Sequence, residues 1–150
     1  MPNGQNAPFF VDNEIITLTR NGLWIADGTE ISHEPTRQLF ARSLKKDALG
    51  WFLAIGRETK RISVEDTAYF IHRIDGTHAE GFTLWISDET RERLDPRTLA
   101  YRPERLTCWI KSGAEEAKFL HAPYIELLRE ITEERGEYWL EIAGEKIRIA

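Results

Sequence analysis

One local pattern occurs twice in this chain, and it restricts the fold more than any other feature. His33-Glu34-Pro35 opens a helix carrying Leu39 and Phe40, followed by Gly50, an apolar strand Trp51 to Ile55, a turn and a second strand Ile62 to Val64. Downstream, His121-Ala122-Pro123 opens a helix carrying Leu127 and Leu128, followed by Gly136, a strand Tyr138 to Ile142, a turn at Ala143-Gly144 and a strand Ile147 to Ile149. A helix-then-hairpin unit used twice predicts two related lobes, and a seam between lobes is a common place for a small ligand. The expected class is α+β, with short, mainly antiparallel strands and one main helix per lobe. Residues 1–12 are expected to form a disordered tail, 13–66 an N-terminal lobe and 67–150 a C-terminal lobe.

The rest of the chain reads as strands and turns. Ile15 to Leu18, Leu23 to Ile25 and Ile31 form a small meander, with Asn21-Gly22 and Asp27-Gly28 as tight turns tolerant of positive φ. Ser32 is the expected cap of the first helix, whose apolar stripe is Leu39, Phe40 and Leu44, and His33 and His121 are expected to help cap the two helices they precede. Ala68 to Ile71 reads as a strand turning at Asp75-Gly76, and Phe82, Leu84 and Ile86 alternate on one face of the next. Ser87-Asp88 is expected to cap one helical turn through Arg93. Leu106 to Ile110 is a further strand, 114–120 fits helix or strand, and Tyr124, Leu127, Leu128 and Ile131 form the second helical stripe.

Charge and cysteine content narrow the function. A net charge of −5 argues against an extended nucleic-acid footprint, which needs clustered excess Lys and Arg. The single cysteine, Cys108, rules out an internal disulfide and fits a reducing cytoplasm, the expected location. It shares a strand face with Leu106 and Ile110, as a buried structural thiol does. No apolar run approaches the roughly 20 residues that cross a bilayer, and the first residues lack a signal-peptide pattern.

Tryptophan placement is the sharpest chemical clue. Trp85 alternates with Thr83 and Ser87, Trp109 with Thr107 and Lys111, and Trp139 with Glu137 and Glu141. Indoles on otherwise polar faces suit an interface or a stacking platform, although plain coverage of a second sheet face is the commoner role of such rings. Glu65 and Asp66 are adjacent carboxylates that point apart when extended, so they form no catalytic dyad. They serve either as ligand acceptors or as a structural salt bridge. His72, Asp75 and His78 have metal-competent side chains but lack the spacing of zinc motifs. His121 with Lys118 and Tyr124 can line an anion pocket at a helix start. The sequence lacks Gly-x-Gly-x-x-Gly, Gly-Lys-Ser/Thr, Gly-x-Ser-x-Gly and His-Glu-x-x-His, so no standard enzyme is signalled and no cofactor is expected.

Trp24-x-x-Asp27-Gly28-x-x-Ile31, Leu39-Phe40, Gly50, Glu58, Ile62 and Val64-Glu65-Asp66-Thr67-Ala68-Tyr69 resemble the bacterial family catalogued as domain of unknown function 1285. Gly113-x-x-x-Ala117-x-Phe119 and Pro123-Tyr124-x-Glu126-Leu127 resemble its C-terminal half, so the resemblance runs from about Leu18 to Ile149. Ala68 stands where the family commonly has proline, and His121 where it commonly has arginine. The resemblance implies a duplicated core, a C-terminal lobe superficially similar to pleckstrin-homology-like folds, a nucleotide-type ligand between the lobes and a role in signal transduction. On that reading Trp24 or Trp85 stacks on a base. Glu58, Glu65 and Asp66 accept hydrogen bonds, and Arg57, Lys111, Lys118, His121 and Tyr124 complete the site on the anionic side. The expected protein is thus a non-enzymatic, cytoplasmic ligand-binding or regulatory protein. The alternative is a protein–protein interaction or homo-oligomerisation module using the aromatic face. A metal enzyme using His72, Asp75 and His78 is a third.

Overall fold

Strand β1 (Ile16–Leu18) buries Ile16 and Leu18 and leaves Thr17 half-exposed, the period-2 signature that fixes which face is core. The computed structural model describes residues 9–150. It divides into two units, one ending at Asp66 and the other Thr67–Ala150. In the first unit β1 pairs antiparallel with β2 (Trp24–Ala26) and parallel with β7 (Ser63–Val64), and β2 pairs with β3 (Thr29–Glu30). The β2–β3 loop is Asp27-Gly28, with φ of 47° and 82°. Positive φ at both central residues defines the two-residue turn that the sequence signalled.

Helix α1 (Glu34–Arg42) starts with Pro35 in its first turn, where a missing N–H goes unnoticed. His33, not Ser32, is the N-cap; its ring Nδ1 lies 2.7 Å from the Thr36 hydroxyl. The helix stops at Ser43, whose hydroxyl donates back to the Leu39 carbonyl at 2.6 Å. Leu44 therefore belongs to a strand rather than to the helical stripe. Strands β4 (Leu44–Asp47), β5 (Gly50–Ile55) and β6 (Glu58–Arg61) form an antiparallel meander with Leu44 opposite the fully buried Leu53. Ile62 to Val64 leaves that hairpin, because β7 crosses to pair with β1. Of the expected tail 1–12, residues 1–8 lie outside the described residues. The amides of Phe9 and Phe10 donate to the Glu58 carboxylate at 2.7–3.1 Å, and the Phe10 ring is buried beside Phe40.

The second unit is built on a six-stranded sheet. Its strands are β8 (Tyr69–Thr77), β9 (Gly81–Ile86), β10 (Arg91–Arg93), β11 (Ala100–Arg102), β12 (Arg105–Ile110) and β13 (Glu115–Phe119). Their spatial order is β10-β9-β8-β13-β12-β11, with β8 and β13 parallel and the other pairs antiparallel. Phe82, Leu84, Ile86, Leu106, Cys108, Ile110, Ala117 and Phe119 are buried together on the core face. Asp75-Gly76 is not a turn: β8 runs through it, and the chain reverses at 78–80. The expected helical turn at Ser87–Arg93 is a tight turn leading into β10, and the ambiguous segment 114–120 contains β13.

Helix α2 (His121–Leu128) runs directly into β14 (Ile131–Glu134), β15 (Glu137–Ile142) and β16 (Glu145–Ile149), again an antiparallel meander. Ile131 is a strand residue opposite Leu140, which is fully buried as Leu53 is. A single 3₁₀ turn, Pro96–Thr98, is capped by Asp95. The molecule is thus α+β and mostly β-sheet, and each unit contains one helix followed by a three-stranded meander.

Candidate functional site

An irregularity in β8 creates the most distinctive side-chain arrangement. Ile71 opposes Ile86 and Arg73 opposes Trp85, so His72 is an extra residue at a bulge. The extra residue reverses the parity of β8. Without it, Arg73 and Asp75 would share the core face of Ile71. With it, they stand beside Trp85 and Thr83 on the second face, and Ile74 returns to the core.

Trp85 lies in a cross-strand row of three, Arg73–Trp85–Arg91, one residue from each of β8, β9 and β10. The guanidinium carbons of Arg73 and Arg91 lie 4.6 and 4.5 Å from the centre of its rings. Its Nε1–H donates to Asp75 at 2.7 Å, and Asp75 also pairs with Arg73 at 3.2 Å. The indole quadrupole attracts cations to its faces, so this row is self-supporting. A base stacking on Trp85 must displace a guanidinium. Arg93, opposite Thr83, occupies the same face and donates to the Glu80 carbonyl. None of these arginines is among the expected site residues; the signal for them is Arg91-Glu92-Arg93, a period-2 run of charge.

Trp109 emerges on the same face three strands away and displaced along them: its row runs through Glu116 toward the start of β8, whereas the Trp85 row runs through Arg73. It is 46% exposed and opposes Glu116, which pairs with Arg105 at 3.5 Å. Lys118 opposes Thr107 and lies half-buried between the two indole positions. The face therefore brings together Trp85 and Lys118 of the expected site residues.

The remaining expected residues are placed elsewhere. Trp24 is buried, edge-to-face with Phe40 at 5.3 Å, so its ring is core and offers no stacking surface; a three-residue strand is too short for alternation to reveal this. The Glu58 carboxylate holds the Phe9 and Phe10 amides. Glu65 accepts from the Arg20 amide at 2.9 Å, Asp66 is exposed with a partner of its own, and Arg57 is exposed at the β5–β6 turn. Lys111 donates to Asp88 at 2.7 Å and lies 5.1 Å from the Tyr69 ring centre. His121 stacks near Tyr124 at 6.5 Å on α2. Tyr124 and Tyr101 share a hydrogen bond, and burial with that bond pushes the Tyr124 hydroxyl up. His72, Asp75 and His78 do not converge, and among the described residues no group of three or more such side chains could hold a metal ion.

The electrostatics at one end of the sheet are settled internally. Burial works to raise the Asp88 carboxyl, yet hydrogen bonds from Lys111 and Thr90 outweigh it and hold the group below its ordinary range. Burial, with Asp88 and Glu115 nearby, pushes Tyr69 up to about 12, so it stays neutral. Cys108 is likewise pushed up to about 12 by burial, with Glu92 and Glu116 adding to it. It is an inert thiol.

Each unit has a shallow, open depression. One of ≈ 380 Å³ in the first unit lies between Asn13–Ile16 and Lys60–Ser63. One of ≈ 220 Å³ in the second is lined by Ile74, Gly76, Phe82, Glu126, Arg129 and Glu130. Neither is lined by any of the expected site residues. No helix among the described residues is long and apolar enough to cross a membrane.

Solved structures share this fold. A DUF1285 family protein from Silicibacter pomeroyi aligns with a TM-score of 0.68 at 17% identity, over 89% of this chain and 78% of its own. A DUF1285 family protein from Shewanella baltica aligns with a TM-score of 0.60 at 19% identity, over 81% of this chain and 96% of its own. No family model matches the sequence, and no curated protein matches it. The fold is DUF1285-like, in agreement with the resemblance carried by the Trp24 to Tyr69 and Gly113 to Leu127 motifs.

Proposed function

We propose that this chain is a cytoplasmic ligand-binding or regulatory protein in signal transduction, recognising a nucleotide-type ligand on the second face of the six-stranded sheet. The observation that carries this reading is the exposed Trp109 ring beside Arg105 and Lys118. An indole face supplies a sequence-tolerant platform for a base, and flanking cations suit its phosphates. Trp85, Arg73 and Arg91 extend the same cationic, aromatic surface. The helix and meander present in each unit support a duplicated origin for the two halves, as the family resemblance implies, with the pleckstrin-homology-like likeness of the second half part of the same reading.

Thermal-shift measurements with a nucleotide panel test it. A ligand that binds only the folded state at a hundredfold over its Kd adds about 2.7 kcal/mol, worth several degrees in Tm. The shift is expected for the parent chain and is lost in Trp109→Ala and Lys118→Ala. A flat response to every nucleotide at millimolar concentration overturns the nucleotide reading.

The exposure of the Trp109 ring favours a second reading, an interaction or homo-oligomerisation module docking through it. Aromatic residues with arginine are the usual anchors of such surfaces. Light scattering on the parent chain, Trp85→Ala and Trp109→Ala separates the two: an unchanged mass and unchanged partners in all three remove the module reading.

A further inference from the structure

The edge of the six-stranded sheet beyond the Trp85 row offers backbone groups that the nucleotide reading does not use. Strand β10 is an edge strand three residues long, with Arg91 opposite Trp85, Glu92 opposite Leu84 and Arg93 opposite Thr83. The flanking backbone bonds fix its phase. The Ile86 amide donates to the Thr90 carbonyl, and the Leu94 amide donates to the Phe82 carbonyl. In an antiparallel pair, residues bonded to the partner strand alternate with residues whose N–H and C=O point away. Residues 90, 92 and 94 therefore face β9, and the backbone groups of Arg91 and Arg93 face the open edge.

The side chains of these two residues also share one face and one sign. Arg91 rests on the Trp85 ring, and Arg93 reaches the Glu80 carbonyl. Neither forms a salt bridge with a carboxylate among the described residues. Charged side chains on an edge often serve to block pairing. Here the guanidiniums are instead folded over β9 by the indole and the carbonyl, which leaves the backbone edge open. The chain as a whole carries −5, so a patch of unpaired cations is a local reversal of its charge.

We propose that β10 is a docking edge for an extended acidic peptide, which adds as a strand and pairs with the N–H and C=O groups of Arg91 and Arg93. Main-chain bonds supply affinity in strand addition, and alternate side chains supply specificity. Carboxylates on every second residue of the incoming strand fall on the face of the two guanidiniums.

Fluorescence anisotropy with a labelled peptide of alternating Glu and Val tests this. The parent chain binds that peptide, and Arg91→Glu with Arg93→Glu weakens it by about tenfold or more, as reversed charges across an interface do. A Lys/Val peptide of the same length does not bind, and N-methylation of alternate backbone amides abolishes binding of the Glu/Val peptide. Amide exchange of Arg91 and Arg93 slows in the complex, and Trp109→Ala leaves the affinity unchanged. Equal binding of the N-methylated peptide reduces the effect to charge attraction and overturns strand addition. Absence of binding at millimolar peptide, or unaltered affinity in the doubly reversed variant, overturns it as well; circular dichroism confirms that this exposed double variant is folded.

Discussion

The carboxylate of Asp75 accepts the indole N–H of Trp85 at 2.7 Å and takes the Arg73 guanidinium at 3.2 Å, so one side chain orients both members of a cation–π pair. Trp85→Phe keeps a ring but removes the N–H and weakens the attraction for both arginines. Its expected cost is about 1–2 kcal/mol in urea denaturation. Asp75→Asn still accepts the N–H and loses only a solvent-screened ion pair, so it costs less than about 1 kcal/mol. Equal effects of the two changes contradict this ordering.

Asp88 sits in a partly buried pair with Lys111, and its carboxyl titrates below the ordinary range. A depressed native value means that the unfolded chain binds the proton more readily, so stability falls with falling pH. The contribution is complete above the ordinary carboxylate range and disappears as the pH drops through the depressed value. Asp88→Asn is expected to cost about 2 kcal/mol at pH 7. The gap from the parent closes in acid, which denaturation curves across that range measure.

Cys108 is fully buried, and its thiol is raised to about 12. A thiol reagent at neutral pH leaves the folded chain unlabelled and labels it completely in denaturant. The sign in alkali follows from linkage. Between the ordinary value of 9.0 and the native value near 12 the unfolded thiol is ionised and the native one is not, so stability declines as pH rises through that window.

Two backbone positions give opposite predictions. Gly76 has φ +122°, and a Cβ there would meet the Gly81 carbonyl oxygen at 2.1 Å. Gly76→Ala must push two strands apart and loses at least about 2 kcal/mol. Ala143 has φ 53° beside Gly144 in the β15–β16 turn. Asparagine tolerates that conformation better, so Ala143→Asn gains about 0.5–1 kcal/mol and raises Tm.

The sequence revealed those elements whose signal is local. Asp27-Gly28 and Ala143-Gly144 specify their turns by backbone preference, Pro35 and Pro123 fall within their helices, and Phe82, Leu84 and Ile86 declare a core face. Leu44 and Ile131 were misplaced because an apolar residue one turn past a helix end fits the helical period and the strand period alike. What ended each helix was the following hairpin, with Leu44 seated on Leu53 and Ile131 on Leu140. The site was harder to read. His72 gives no sign of a bulge, yet that one residue decides whether Arg73 and Asp75 face the core or Trp85. Gly76 suggested a turn, whereas its missing side chain serves a close approach of two strands.

The parallel pairing of β8 with β13 joins residues 69–71 to 117–119. A ribosome must therefore deliver Phe119 before the middle of this sheet can close, and until then Tyr69, Phe70 and Ile71 remain an apolar edge without a mate. Nascent chains halted short of that point should recruit chaperones, and those released just beyond it should not.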